Sequence, residues 1–247
     1  MRNFSFKSHL RGKTVALVGP ANYLSEFEFG KEINSRDIVI RINRGMELVQ
    51  NHSKQVGDRT DILYSCLIEH PDNAGRIDIK NLLDNNVKWV CTIPHSSARG
   101  EKTYPFLSPQ VNLIKVLKVF LKINLHIFNI KKYGELNKNL KARANTGFAA
   151  IFDLLQYDIK ELYITGFSFY MDPFMKGYKK GCSRNEEEFA KDCFTSIRHD
   201  QVNQWRFLKK HKNHSLLNFD PVLEEILKLE TLDSNLFNAI IENVKNS

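Results

Sequence analysis

The chain has 247 residues, a net charge of +8 and a pI near 9.2. That length suffices for a full core and argues for one domain, residues 1–247. Hydrophobic residues at 42% and charged residues at 26% are ordinary for a soluble globular protein. No stretch approaches the ~20 apolar residues of a membrane span, and the polar residues 1–12, an N-terminal extension, do not read as a signal peptide. The excess of positive charge suits an anionic partner, or simply solubility. The basic residues do not form the aromatic-interleaved stripe of a nucleic-acid groove, so no nucleic acid is expected. Four cysteines without a Cys-x-x-Cys pair fit a reducing, cytoplasmic setting.

In chain order, Val15–Val18 is continuously apolar and reads as a strand buried on both faces. It ends in Gly19-Pro20-Ala21-Asn22. Residues 25–33 read as a short helix or turn. Asp37–Asn43 is a second strand ending Arg41-x-Asn43, Asp61–Tyr64 a third and Trp89–Ile93 a fourth, with a helix over Ile79–Leu83 between the last two. Pro94–Pro109 is loop-like, and Val111–Ile123 has helical periodicity. Asn145-Thr146-Gly147 opens an apolar helix over Phe148–Leu155, and Leu162–Ile164 is a strand closed by Gly166. Residues 172–198 include a loop or lid from Asp172 to Asn185, helix is expected over parts of Glu186–His211, and residues 212–247 form a C-terminal helical segment with a helix at Pro221–Leu229. Short apolar strands alternating with helices predict an α/β, single-domain, Rossmann-like fold with a mostly parallel central sheet.

Several features carry chemistry. Gly19–Leu24 contains neither Gly-x-Gly-x-x-Gly nor a P-loop, which removes the commonest NAD and ATP sites. Asn145 or Thr146 can cap a helix, and Gly147 allows close backbone approach; helix N-terminal amides suit a phosphate or carboxylate, and Arg143 lies nearby. Plain helix capping is the simpler account of the same residues. His199, just before Asp200, is a candidate general base, with His95 the second choice. The histidines lack metal-ligand spacing, and Asp58 and Asp61 form no Asp-x-Asp pair, so no metal site is expected.

Taken in order, these pieces resemble the sialyltransferases, glycosyltransferase family 29. The family's large motif, a strand, a Gly-Asn-Ser-Gly turn and Ile-Asp-Ser-x-Asp-x-Val-x-Arg-x-Asn, is matched by Val15–Leu24 and Ile33–Asn43. Its Val-Gly-x-Lys/Arg-Thr segment is matched by Val56–Thr60. Its small motif, Ser-Thr-Gly with an apolar helix and a strand ending Tyr-Gly-Phe, is matched by Asn145–Phe148 and Leu162–Phe167, and its last His by His199. The resemblance implies inverting, metal-independent transfer of sialic acid, Kdo or a related 2-keto sugar acid from a CMP-activated donor to a glycan or glycolipid hydroxyl. It needs no cofactor beyond that donor. It implies His199 as base and Gly19, Asn22, Asn43, Asn145, Thr146, Gly147, Gly166 and Tyr178 as donor-binding residues. Pro20, Ala21 and Gln204 depart from the family pattern, where Asn, Ser and often Glu stand. The bridge that joins the two main motifs in animal members has no cysteines here, and no stem or anchor is read. The chain thus looks like a soluble microbial or viral member whose basic surface can meet a membrane peripherally. A catalytically weakened nucleotide-binding protein is the alternative that these departures motivate.

Overall fold

The structure, a computed structural model, describes residues 5–68, 70, 73–75, 77–96, 103–104, 123–179 and 185–247. Its frame is a seven-stranded parallel sheet built from β1 (Thr14–Val18), β2 (Ile38–Ile42), β3 (Ile62–Tyr64), β4 (Trp89–Thr92), β7 (Asn124–Ile127), β8 (Glu161–Thr165) and β9 (Leu217–Phe219). A two-stranded antiparallel pair, β5 (His95–Ser96) with β6 (Thr103–Tyr104), stands apart from it. The sheet order is β7-β4-β3-β2-β1-β8-β9. The α/β class read from the sequence is borne out.

The four predicted strands and the strand at Leu162–Ile164 are present, none differing by more than one residue at either end. They are central and almost wholly buried, which is why they read as continuous apolar runs. The short β5 and β6 lie in the segment read as a loop, and the two strands of the main sheet absent from the sequence reading, β7 and β9, are its edges. Their Asn-Leu-His-Ile and Leu-Asn-Phe sequences carry polar residues because one side meets solvent.

Helices cover the sheet: α1 (Phe6–Leu10), α2 (Gly30–Asn34), α3 (Val49–Val56), α4 (Ile79–Asp84), α5 (Ile130–Leu140), α6 (Thr146–Leu154), α7 (Glu186–Phe194), α8 (Gln201–His211), α9 (Pro221–Lys228) and α10 (Phe237–Lys245). The residues 1–12 expected as an extension contain α1, whose Phe6 and Leu10 enter the core; the Phe6 ring stacks on His126 at 4.1 Å. α5 was not read from sequence, because Gly134 and its lysines mask the buried 133-136-140 spacing of Tyr133, Leu136 and Leu140. The helical pattern at 111–122 lies outside the described residues.

α6 is the central helix. Its side chains are buried almost throughout, so it has no polar face to read. Its Asp153 accepts hydrogen bonds from Tyr64 Oη of β3 (2.9 Å) and His126 Nε2 of β7 (2.7 Å), pinning the helix to the sheet. At its other end, Tyr133 Oη donates to the Ala144 carbonyl (3.1 Å) and Ala144 N donates to Asn137 Oδ1 (2.9 Å), so α5 fixes where α6 begins.

Arg41 on β2 is 1% exposed and has its pKa lowered to about 10 by burial. Its guanidinium donates to Thr60 Oγ1 (2.9 Å) and to the carbonyls of Val56 (2.8 Å), Gly57 (3.1 Å) and Arg59 (3.0 Å). It therefore closes the C-terminal end of α3, where a cation is electrostatically favoured. Within the Arg-x-Asn motif, Arg41 faces inward and Asn43 ends at the sheet's carboxyl edge.

From β1 the chain moves toward β2, and from β8 it moves toward β9, so a switch point lies between β1 and β8. Open α/β sheets bind ligands at the strand carboxyl ends there. At this point Gly19 and Gly166 lie back to back. A Cβ on Gly19 would sit 2.2 Å from the Gly166 oxygen, and one on Gly166 2.4 Å from the Gly19 oxygen. Gly166 also has φ +76°, the left-handed region. Its N–H donates to Tyr23 Oη (2.8 Å) and Asp220 Oδ2 (3.2 Å), while Tyr23 Oη donates to Asp220 Oδ2 (2.6 Å). Gly166→Ala combines a backbone clash with an unfavourable φ, so it is expected to destabilise the fold by about 3 kcal/mol or more in urea unfolding. A loss under about 1 kcal/mol would contradict this tight approach.

Candidate active site

A cleft of about 890 Å³ opens at this switch point. One wall is the turn Pro20-Ala21 after β1 and the segment from Gly166 after β8; the other is the start of α6 and the turn carrying His199. Ile42 and Asn43 close it on the β2 side.

Asn145 caps α6: its backbone is extended and its side-chain oxygen accepts from Phe148 N at 2.8 Å. The cap leaves the first turn, Thr146 and Gly147, against the cleft. Gly147 is required for packing as well, since a Cβ there would lie 2.9 Å from the Phe167 ring. The helix N-terminus, with Arg143 two residues ahead of the cap and also lining the cleft, presents positive potential.

His199 ends a 3₁₀ turn at Ile197–His199. Its Nδ1 lies 2.8 Å from the Arg143 carbonyl. A carbonyl only accepts, so Nδ1 carries the proton and Nε2 carries the lone pair. Burial pushes the ring's pKa down to about 4, partly opposed by that hydrogen bond. The ring is therefore neutral at physiological pH and able to accept a proton.

Asn43 has φ +47°, a conformation asparagine tolerates better than most residues. Its Oδ1 accepts from Cys66 N at 3.0 Å. Tyr178 is 3% exposed, and its hydroxyl donates to the Ile42 carbonyl over a long 3.3 Å. Burial pushes its pKa above the ordinary tyrosine value.

The structure thus brings His199, Asn43, Asn145, Thr146, Gly147, Gly166 and Tyr178 around one cleft. Gly19 and Asn22 are not among its lining residues. Gly19 is spent on the contact with Gly166. Asn22 opens a 3₁₀ helix, where its N–H donates to the Pro173 carbonyl (2.9 Å).

The expected lid is not loose over its described first half. Met175 N donates to the Pro20 carbonyl (2.8 Å), Ala21 bridges Phe174, and Phe174, Met175 and Tyr178 are buried. Residues 180–184 fall outside the described residues. The helix expected over Glu186–His211 is two helices, α7 and α8, and the break between them places His199.

The lining residues not read from sequence include Lys179, Gln201 and Asp172. Lys179, 7% exposed, holds its Nζ 4.2 Å from the Phe189 ring centroid and donates to the Asn73 carbonyl. Gln201 lies at the start of α8. Asp172, also 7% exposed, accepts from Tyr23 N at 2.6 Å, and burial raises its pKa to about 7. No motif marks them; they are recruited by the loop after β8 and by α8. Among the described residues, no group of three or more His, Cys, Asp or Glu side chains is placed to hold a metal ion.

The family model of glycosyltransferase family 29 (sialyltransferase) matches residues 3–98. A search of curated proteins returns no match. Among solved structures, the sialyltransferase CstII from Campylobacter jejuni, in complex with cytidine-5'-monophosphate, aligns with TM-score 0.53 at 15% identity, covering 91% of this chain and 86% of its own. The monofunctional α-2,3-sialyltransferase Cst-I from the same organism aligns with TM-score 0.52 at 15% identity, covering 84% and 74%. A mammalian sialyltransferase in complex with Gal-β-1-3GalNAc-ortho-nitrophenol aligns with TM-score 0.51 at 14% identity, covering 87% and 71%. At these identities the three structures speak to the fold. With the family match over residues 3–98, they bear out the resemblance to the sialyltransferases.

Asp172 supplies a prediction. A carboxyl whose pKa is raised by folding contributes stability below its unfolded value near 3.8, and that contribution is lost as pH rises through about 7. Asp172→Asn keeps an acceptor for Tyr23 N and removes the charge. It is expected to raise the melting temperature relative to the parent chain at pH 8 by more than at pH 5. An equal difference at both pH values would contradict the burial of an ionisable carboxyl there.

Proposed function

We propose that this chain, acting as one glycosyltransferase domain, moves a sialic acid or related 2-keto sugar acid from its CMP-activated form to a glycan hydroxyl, with inversion. The observation that carries this reading is the neutral His199, with its lone pair on Nε2, lining the same cleft as the capped start of α6. That pairing is what a displacement at a sugar phosphate needs: a proton acceptor for the nucleophile and a positive seat for the leaving group.

In the proposed step, the acceptor oxygen attacks the anomeric carbon as the bond from that carbon to the phosphate oxygen breaks. The hydroxyl proton passes to His199 Nε2, and CMP leaves with the bonding pair. In-line attack inverts the anomeric centre. Negative charge grows on the phosphate, where the Thr146 and Gly147 amides and Arg143 meet it. The Tyr178 hydroxyl can exchange its long bond to the Ile42 carbonyl for a phosphate oxygen. Asn43 and Asn145 hold the nucleotide, and Gly166 lines the cleft beside them with its backbone. The CMP in the CstII structure and the disaccharide in the mammalian one support a nucleotide donor and a glycan acceptor for this chain. No metal has a part in the step. A cytoplasmic setting fits the reading, and the +8 net charge suits association with anionic glycolipid surfaces.

His199→Ala is expected to lower the rate of sugar transfer by about 10²-fold or more, while CMP affinity stays within about threefold of the parent. Transfer at the parent rate in that variant would overturn the base assignment. Because the base must be unprotonated, kcat/KM for the intact protein should fall only as pH drops through about 4, not near 6.5. An acid limb near 6.5 would contradict the burial of the ring. EDTA is expected to leave transfer unchanged, and loss of activity restored by a divalent cation would overturn the metal-independent step.

A further inference from the structure

Gln204 departs from the Glu often found in the sialyltransferase motif, and the departure alone suggests a weakened enzyme. Its surroundings argue otherwise. The side chain is 0% exposed, on the first turn of α8. Its Oε1 accepts from Asn145 N (3.3 Å), the residue that caps α6. Its Nε2 donates to the carbonyls of His199 (2.9 Å) and Asp200 (3.3 Å). Gln201 also donates to the His199 carbonyl. Gln204 reaches both segments. Between its two ends lies the contact that sets the imidazole: His199 Nδ1 with the Arg143 carbonyl, two residues before Asn145.

We infer that Gln204 is a positioning residue: it clamps the backbone at Asn145 to the backbone at His199, and so holds the ring in the tautomer that leaves Nε2 as the base. This rests on the reading of His199 as the base. The chemistry selects an amide. One oxygen must accept an N–H while one nitrogen donates to two carbonyls, and only Asn and Gln side chains offer both. An ionised Glu accepts only and would face two carbonyl oxygens with negative charge. The Gln204 side chain is itself buried, so a bond it loses is not simply handed to bulk water. Once the clamp is gone, the Arg143 carbonyl and His199 Nδ1 are free to drift, and the ring can exchange its proton between nitrogens.

The test compares Gln204→Met, which keeps length and apolar packing but removes every hydrogen bond, with Gln204→Glu, which keeps the acceptor and removes the donor. Imidazole ¹⁵N NMR of the full chain at pH 8, where the ring is neutral, reads the tautomer; CMP release from a CMP-sugar acid gives kcat and donor KM. The intact protein is expected to show the Nδ1–H tautomer. Q204M should show a mixture of tautomers and a kcat lower by about tenfold, with donor KM within about threefold. Q204E should show the same mixture at pH 8. The Nδ1–H tautomer retained in folded Q204M, whatever its kcat, would overturn the inference. If Q204M does not fold, the same result in Q204E overturns it. If the intact protein releases CMP from no CMP-sugar acid, the functional reading fails, while the tautomer comparison still decides the role of Gln204.

Discussion

The close approach of two backbones, Gly19 after β1 and Gly166 after β8, is the constraint on which the rest of the site depends. Neither position admits a Cβ, and their contact sets how near the two strand ends come at the switch point. The buried Tyr23–Asp220 pair holds Gly166 from behind through its N–H, and Asp220 also caps α9 through Leu223 N. The sheet's carboxyl edge, the C-terminal helices and the floor of the cleft are thereby parts of one hydrogen-bonded unit. Burial raises the pKa of both Tyr23 and Asp220, and the pair is a buried, hydrogen-bonded brace behind Gly166.

Around that brace the cleft is assembled from segments far apart in sequence. The α6 cap supplies amides, the 3₁₀ turn before α8 supplies His199, and the loop after β8 supplies Asp172, Tyr178 and Lys179. Ionisable groups are buried here at a cost that packing elsewhere must offset. His199 is kept neutral, burial lifts the Asp172 carboxyl to about 7, and Lys179 sets its Nζ over the Phe189 ring. This distribution of charge is suited to an anionic donor and to a base that does not need to be ionised.

What could be read beforehand followed burial. Central strands and the apolar α6 stand out because both faces are covered, whereas edge strands β7 and β9 and the lysine-rich α5 carry polar residues toward solvent and do not. In the site, residues within motifs, such as Asn43, Asn145–Gly147, Gly166 and His199, were legible because strand ends and a helix cap leave a local signature in the sequence. Asp172, Lys179 and the clamp role of Gln204 were not, since each depends on a partner more than 50 positions away or on the packing of the loop after β8. Gly19 and Asn22 show the converse: a motif position can be occupied by structural duty. Arg41 does the same within the motif that presents Asn43.

The account stands on one claim, that the switch-point cleft is built for a CMP-activated sugar acid. A ligand that binds only the folded state raises the midpoint of thermal unfolding. Thermal-shift measurements with CMP, CDP, UDP, GDP, CMP-sialic acid and CMP-Kdo test the claim most directly. The account predicts stabilisation by CMP and by at least one CMP-sugar acid, and none by UDP or GDP at equal concentration. Stabilisation by UDP or GDP without CMP would contradict it.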